Sequence, residues 1–155
     1  MKALLLIFSL FITSASYAEC IIYTNSRGAL LNVLKERGWS LKNYDKICQK
    51  LKQSNVGLSL FNRTQISPYQ TTSSTYISAY PLEYVEAKMM IFHSEMAYSS
   101  IASDPERTPK MEKELMYKDA MNAVDNLGEK DDLDKMIDNV NEMRTLLKPV
   151  NSSKK

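Results

Sequence analysis

A single histidine, His93, serves the whole chain, and that scarcity closes off most hydrolytic designs. A Ser-His-acid triad would have to use it. Yet it falls between Phe92 and Ser94 in a stretch whose spacing predicts the middle of a helix, beside an apolar stripe. The four glycines are scattered and form no Gly-x-Ser-x-Gly elbow and no phosphate-cradling loop. The two cysteines, Cys20 and Cys48, are too few to hold zinc and too far apart for a Cys-x-x-Cys redox site. Charge of one sign is lacking as well. Twenty basic side chains face 18 acidic ones, which leaves no concentrated basic face for nucleic acid. After Ile12 no apolar run approaches the ~20 residues needed to cross a bilayer. Acidic pairs such as Glu83/Glu86 and Glu112/Glu114 alternate with Lys88, Lys110 and Lys113 on predicted helix exteriors. They read as a solvated face rather than an acid–base pair in a cleft. Asp131, Asp132 and Asp134 lack the spacing and the central glycine of a calcium loop, and read as helix capping. No catalytic residue and no cofactor is expected.

What the chain does have begins at its start. Met1-Lys2, the apolar run Ala3–Ile12 and the small-x-small exit Ser16-Tyr17-Ala18 predict a secretory signal peptide over 1–18. A single globular domain is expected over 19–148 and a polar tail over 149–155. Lipidation of Cys20 is not expected, because Tyr17 and Glu19 stand where a lipoprotein carries a Leu-like and a small residue. The expected product is exported, periplasmic or secreted, soluble and of bacterial type. In oxidising space two cysteines pair. A Cys20–Cys48 disulfide would close a loop of about 28 residues, stabilising by about 3–4 kcal/mol through lost chain entropy. Asn62-Arg-Thr64 and Asn151-Ser-Ser153 fit the glycosylation pattern, which matters only in a eukaryote.

Periodicity divides the rest. Ile21–Tyr23 reads as a short strand or as apolar packing beside the disulfide. Leu30, Leu31, Val33 and Leu34 follow the candidate N-caps Asn25 and Ser26, and Gly38 stops that helix. A second helix starts near Asn43 with Tyr44, Ile47, Cys48 and Leu51 on one face. Val56, Leu58 and Leu60 then alternate with Gly57, Ser59 and Phe61 as a strand. Thr71–Tyr80 supplies the other arm of a hairpin whose loop runs from Asn62 to Gln70. From Pro81 onward the spacing predicts helices: one on Leu82, Val85, Met89, Phe92 and Met96; one opened by Thr108-Pro109, striped by Met116, Ala120, Ala123 and Leu127 and closed by Gly128. A last helix carries Leu133, Met136, Val140, Met143 and Leu147, widened by Ile137 and Leu146. The expected fold is α+β and mostly helical, with about five helices, one small antiparallel β-hairpin in the middle and one disulfide.

Two constellations carry functional interest. Tyr69, Tyr76, Tyr80 and Tyr84 are interleaved with Thr71, Thr72, Ser73, Ser74 and Thr75, a composition typical of binding surfaces. Arg63 in the expected loop is the natural polar anchor, so Arg63, Tyr69, Thr72, Tyr76 and Tyr80 are the candidate protein-binding residues. On the expected helix, Met89, His93 and Met96 share a face with Met90 beside them, a soft ligand set suited to Cu(I) or Ag(I). The leading expectation is a non-enzymatic protein that binds another protein in the cell envelope, as inhibitor or immunity factor, accessory subunit or small chaperone. The alternative is periplasmic soft-metal binding. A carboxylate hydrolase comes third.

Overall fold

The computed structural model describes residues 22–24, 29–83 and 93–147. In chain order the elements are β1 (Ile22–Thr24), α1 (Ala29–Arg37), α2 (Tyr44–Ser54), β2 (Val56–Ile66), β3 (Thr71–Pro81), β4 (Ala97–Asp104), α3 (Pro109–Glu129) and α4 (Asp132–Leu147). The strands form one sheet in the order β1-β2-β3-β4. β1 runs parallel to β2, pairing Ile22 with Leu58 and Thr24 with Leu60. β2, β3 and β4 are antiparallel neighbours, with Phe61 opposite Tyr76 and Tyr76 opposite Ser99.

Alternation along the strands sends one set of side chains toward the helices. Val56, Leu58 and Leu60 of β2 and Ile77 and Ala79 of β3 are buried there. Ile47 and Leu51 of α2, Ala123, Val124 and Leu127 of α3, and Leu133, Met136 and Val140 of α4 pack against them. A second cluster joins Leu30 and Leu34 of α1 to Met116, Ala120 and Met121 of α3, with Trp39 and Leu41 touching both clusters. The apolar faces expected for α2 and α3 are therefore faces that pack, and so is that of α1 except for Leu31, which is exposed. On α4 the stripe holds through Val140, but Leu146 is exposed.

The ends of the helices are fixed by specific groups. Gly38 takes φ +72°, and its N–H donates to the Leu34 carbonyl at 2.8 Å, as expected of a C-terminal stop. The Thr108 hydroxyl accepts from the Met111 N–H at 3.1 Å, and Pro109 takes the first turn of α3. α2 is capped from outside: Asp125 of α3 accepts from the N–H groups of Lys42 at 2.8 Å and Asn43 at 3.2 Å.

Several expectations are corrected. The described residues hold four helices and three antiparallel strands with a short parallel fourth, not five helices and a lone hairpin. Of the expected helix from Pro81, Leu82 and Glu83 are helical, residues 84–92 lie outside the description, and the end of the predicted stripe, at Met96, is an irregular segment leading into β4. The nine-residue loop contracts to a turn at Ser67–Gln70. There the Ser67 N–H donates to the Gln70 carbonyl at 2.9 Å and the Ser67 hydroxyl accepts from the Gln70 N–H at 3.1 Å. Gly128 does not end its helix. It lies within α3, where an added Cβ would come within 2.6 Å of Ile47, so its role is to let α2 approach α3. Cys48, buried on α2, is disulfide-bonded, and the chain's other cysteine, Cys20, lies outside the described residues. The leader, the caps Asn25 and Ser26, and the polar tail also lie outside them. Among the described residues no helix is long and apolar enough to cross a membrane.

Candidate functional site

Every described helix that packs on the sheet does so through its inner face, and the outer face consists of the alternate residues of β2, β3 and β4. The register lays these out in rows. Phe61, Tyr76 and Ser99 form one row, Arg63, Ser74 and Ile101 the next, and Gln65, Thr72 and Ser103 the third. The two ends of this face differ. At one end an added Cβ on Gly57 would come within 2.5 Å of the Tyr80 ring and 2.9 Å of Leu82, so the chain after β3 closes down on the strand. His93 lies edge-on to Tyr80 at 5.8 Å between ring centroids, and its Nδ1 is 2.9 Å from the Ser78 hydroxyl. Tyr80 is only 3% exposed as a result.

The other end is open. Phe61 and Tyr76 are about half exposed (49% and 50%), their rings tilted against each other at 6.5 Å, and Ile101 is 74% exposed. Phe61, Arg63, Gln65, Thr72, Ser74 and Tyr76 line a shallow depression of about 440 Å³. Arg63 is the one charged side chain among the outward strand residues of β2, β3 and β4. It makes no hydrogen bond or ion pair within the described residues, whereas the other three described arginines are engaged. Arg37 donates to Glu114 at 2.6 Å, Arg144 to Glu83 at 2.6 Å, and Arg107 to the Pro68 carbonyl in the β2–β3 turn.

Of the five residues singled out from composition, the structure brings three together, Arg63, Thr72 and Tyr76. Tyr69 projects from the turn, and Tyr80 is sealed under the closed end. Phe61 and Ile101 complete the apolar part of the surface. Phe61 carried a visible signal in its alternation with Leu60, but Ile101 fell in a stretch read as the end of a helix. The metal alternative loses its geometric premise. His93 and Met96 lie in an irregular segment before β4 rather than on one helix face, and Met89 and Met90 lie outside the described residues. Among the described residues no three His, Cys, Asp or Glu side chains group as metal ligands.

A polar cluster under the sheet was not foreseen. Asp119 of α3, 2% exposed, accepts from the hydroxyls of Thr75 at 2.7 Å and Ser73 at 3.0 Å, and also from that of Ser100. Asn62 donates in turn to Thr75 at 2.8 Å and Ser73 at 2.9 Å. Its buried amide is therefore committed to the interior, and the Asn62-Arg-Thr64 pattern presents no free glycosylation acceptor. With every member partnered, the cluster can sit in an apolar interface without leaving an orphaned polar atom. Two surface carboxyls are held below the usual carboxylate range, Glu83 by its hydrogen bond from Arg144 and Glu114 by its hydrogen bond from Arg37. Neither lies on the open face.

Comparison with protein families, with curated proteins and with solved structures finds no match.

Proposed function

We propose that this chain is an exported, non-enzymatic protein that binds another protein of the cell envelope through the open end of its outer sheet face. An inhibitor or immunity factor, an accessory subunit and a small chaperone all make this physical demand. The observation that supports the reading is the uncovered patch of Phe61, Tyr76 and Ile101 around Arg63. Apolar side chains grouped on a rigid, otherwise hydroxyl-rich surface lose their contact with water when a partner covers them. Tyr and Arg are the side chains that most often anchor such contacts, since each joins a large contact area to a polar tip. The envelope compartment rests on the leader-like segment Met1–Ala18.

The test is affinity capture from native envelope extract with the unaltered protein and with the pair Tyr76→Ala and Ile101→Ser. Both residues are exposed, so the melting temperature should hold within a few degrees while recovery of the partner falls by more than tenfold. Recovery unchanged by the pair would place the interface elsewhere.

A further inference from the structure

We infer that the open end of the outer face receives an acidic side chain of a protein partner, with Arg63 as its counter-charge and the Phe61–Tyr76 pair holding an apolar side chain next to it. This rests on the reading of the face as an interface, and it adds the chemistry of what is bound.

The argument starts from charge. The chain carries 18 acidic residues, yet none stands among the outward positions of β2, β3 and β4 within the described residues. Arg63 is the uncompensated cation of that face, set in the middle row between Phe61 and Gln65 and directly opposite Ser74. A guanidinium presents its donors as a planar fork that matches a carboxylate with two parallel bonds. Ser74, Thr72 and Gln65 around it are neutral. They can add hydrogen bonds to an incoming carboxylate without competing for the charge.

The same layout decides against other ligands. A phosphate site usually gathers several cations or a helix N-terminus. Among the described residues this face holds one cation, and the described helices that pack on the sheet lie on the opposite face. A neutral glycan would stack on Phe61 and Tyr76 but has no use for a lone guanidinium.

Spacing then describes the partner. Outward residues two apart on a strand lie about 7 Å from each other, which separates Arg63 from Phe61 along β2. A partner engaging both must offer a carboxylate and an apolar side chain at a similar separation, as positions i and i+2 of an extended segment do. Positions i and i+3 or i+4 of a helix, about 5–6 Å apart, also come close.

The experiment uses the ¹⁵N-labelled protein titrated with two blocked pentapeptides, Thr-Glu-Thr-Ile-Thr and its twin Thr-Gln-Thr-Ile-Thr, with chitotriose as a third probe. The expected result is a set of amide shifts confined to the rows around Arg63. The Glu peptide should bind at least fivefold more tightly than the Gln peptide. That preference should drop below twofold in Arg63→Gln and fade as salt rises from about 0.05 to about 0.5 M. Equal binding of the two peptides on this face overturns the acidic inference and leaves the interface reading standing. Shifts that avoid the face with every probe overturn both. Chitotriose binding at Phe61 and Tyr76 that exceeds peptide binding and ignores Arg63→Gln overturns the inference in favour of carbohydrate.

Discussion

At the scale of single residues, two buried positions carry more than their side chains suggest. Gly128 sits inside a helix, where propensity alone favours alanine by about 1 kcal/mol. An added Cβ would meet Ile47 at 2.6 Å, and Ile47 is fully buried with nowhere to retreat. Gly128→Ala should therefore destabilise, by about 1–3 kcal/mol in urea unfolding, because overpacking outweighs propensity. A gain in stability would mean that α2 moves away freely. Asp119 is the acceptor on which the inner cluster closes. Asp119→Ala leaves the hydroxyls of Ser73 and Thr75, both fully buried, without their carboxylate, and should cost about 2–4 kcal/mol. Asp119→Asn retains one accepting oxygen and should cost clearly less by the same measurement. Equal losses for the two variants would show that side-chain volume, not hydrogen bonding, sets the cost.

Among the elements, α4 is tied to the end of β3 by one ion pair. Arg144 donates to Glu83 at 2.6 and 2.8 Å and to the carbonyls of Ser54 at 2.9 Å and Asn55 at 2.7 Å, which fastens the α2–β2 corner as well. The hydrogen bond from Arg144 holds the Glu83 carboxyl below its ordinary value of 4.5. A depressed carboxyl stabilises the fold above its unfolded value, and that contribution is lost as pH falls through the lowered one. Arg144→Met should thus be less stable than the parent at neutral pH. The gap should narrow as pH drops below about 4.5, read by thermal unfolding across pH. A gap that does not change with pH would mean that the carbonyl contacts alone hold the corner.

The same scale explains what was legible in the sequence. α1, α2 and α3 were readable because their apolar stripes, exposed Leu31 aside, are faces that pack, and because Gly38 and Thr108-Pro109 punctuate them. The second half of β2 was hidden because Asn62 and Thr64 point inward as polar residues, which the Asp119 cluster makes tolerable and which erases the alternation. β4 was hidden for a different reason. Its outward residues are exposed and its inward ones only partly covered, so it shows no apolar period, while the helical spacing of Leu82, Val85, Met89, Phe92 and Met96 upstream drew the reading on toward it. Of the site, composition pointed to Arg63, Thr72 and Tyr76. Ile101 became visible only with the register.

At the scale of the whole molecule, the described residues form a sheet dressed with helices on one side. The described helices α2, α3 and α4 build the core against its inner face with α1 packed on α3, the chain around Leu82 and His93 closes one end of the outer face, and the other end is left with Phe61, Arg63, Tyr76 and Ile101 toward solvent. The rigid frame sets the spacing of these groups, and a partner that fits them need not reorganise the sheet. The central claim is that this open end is where a partner binds. The most direct measurement is photo-crosslinking in the intact cell envelope, with the crosslinking residue placed at Ser74 on the outer face or at Asn122 on the solvent side of α3. The account predicts one discrete adduct from position 74 and none from position 122. An adduct from 122 alone, or none from 74, would contradict it.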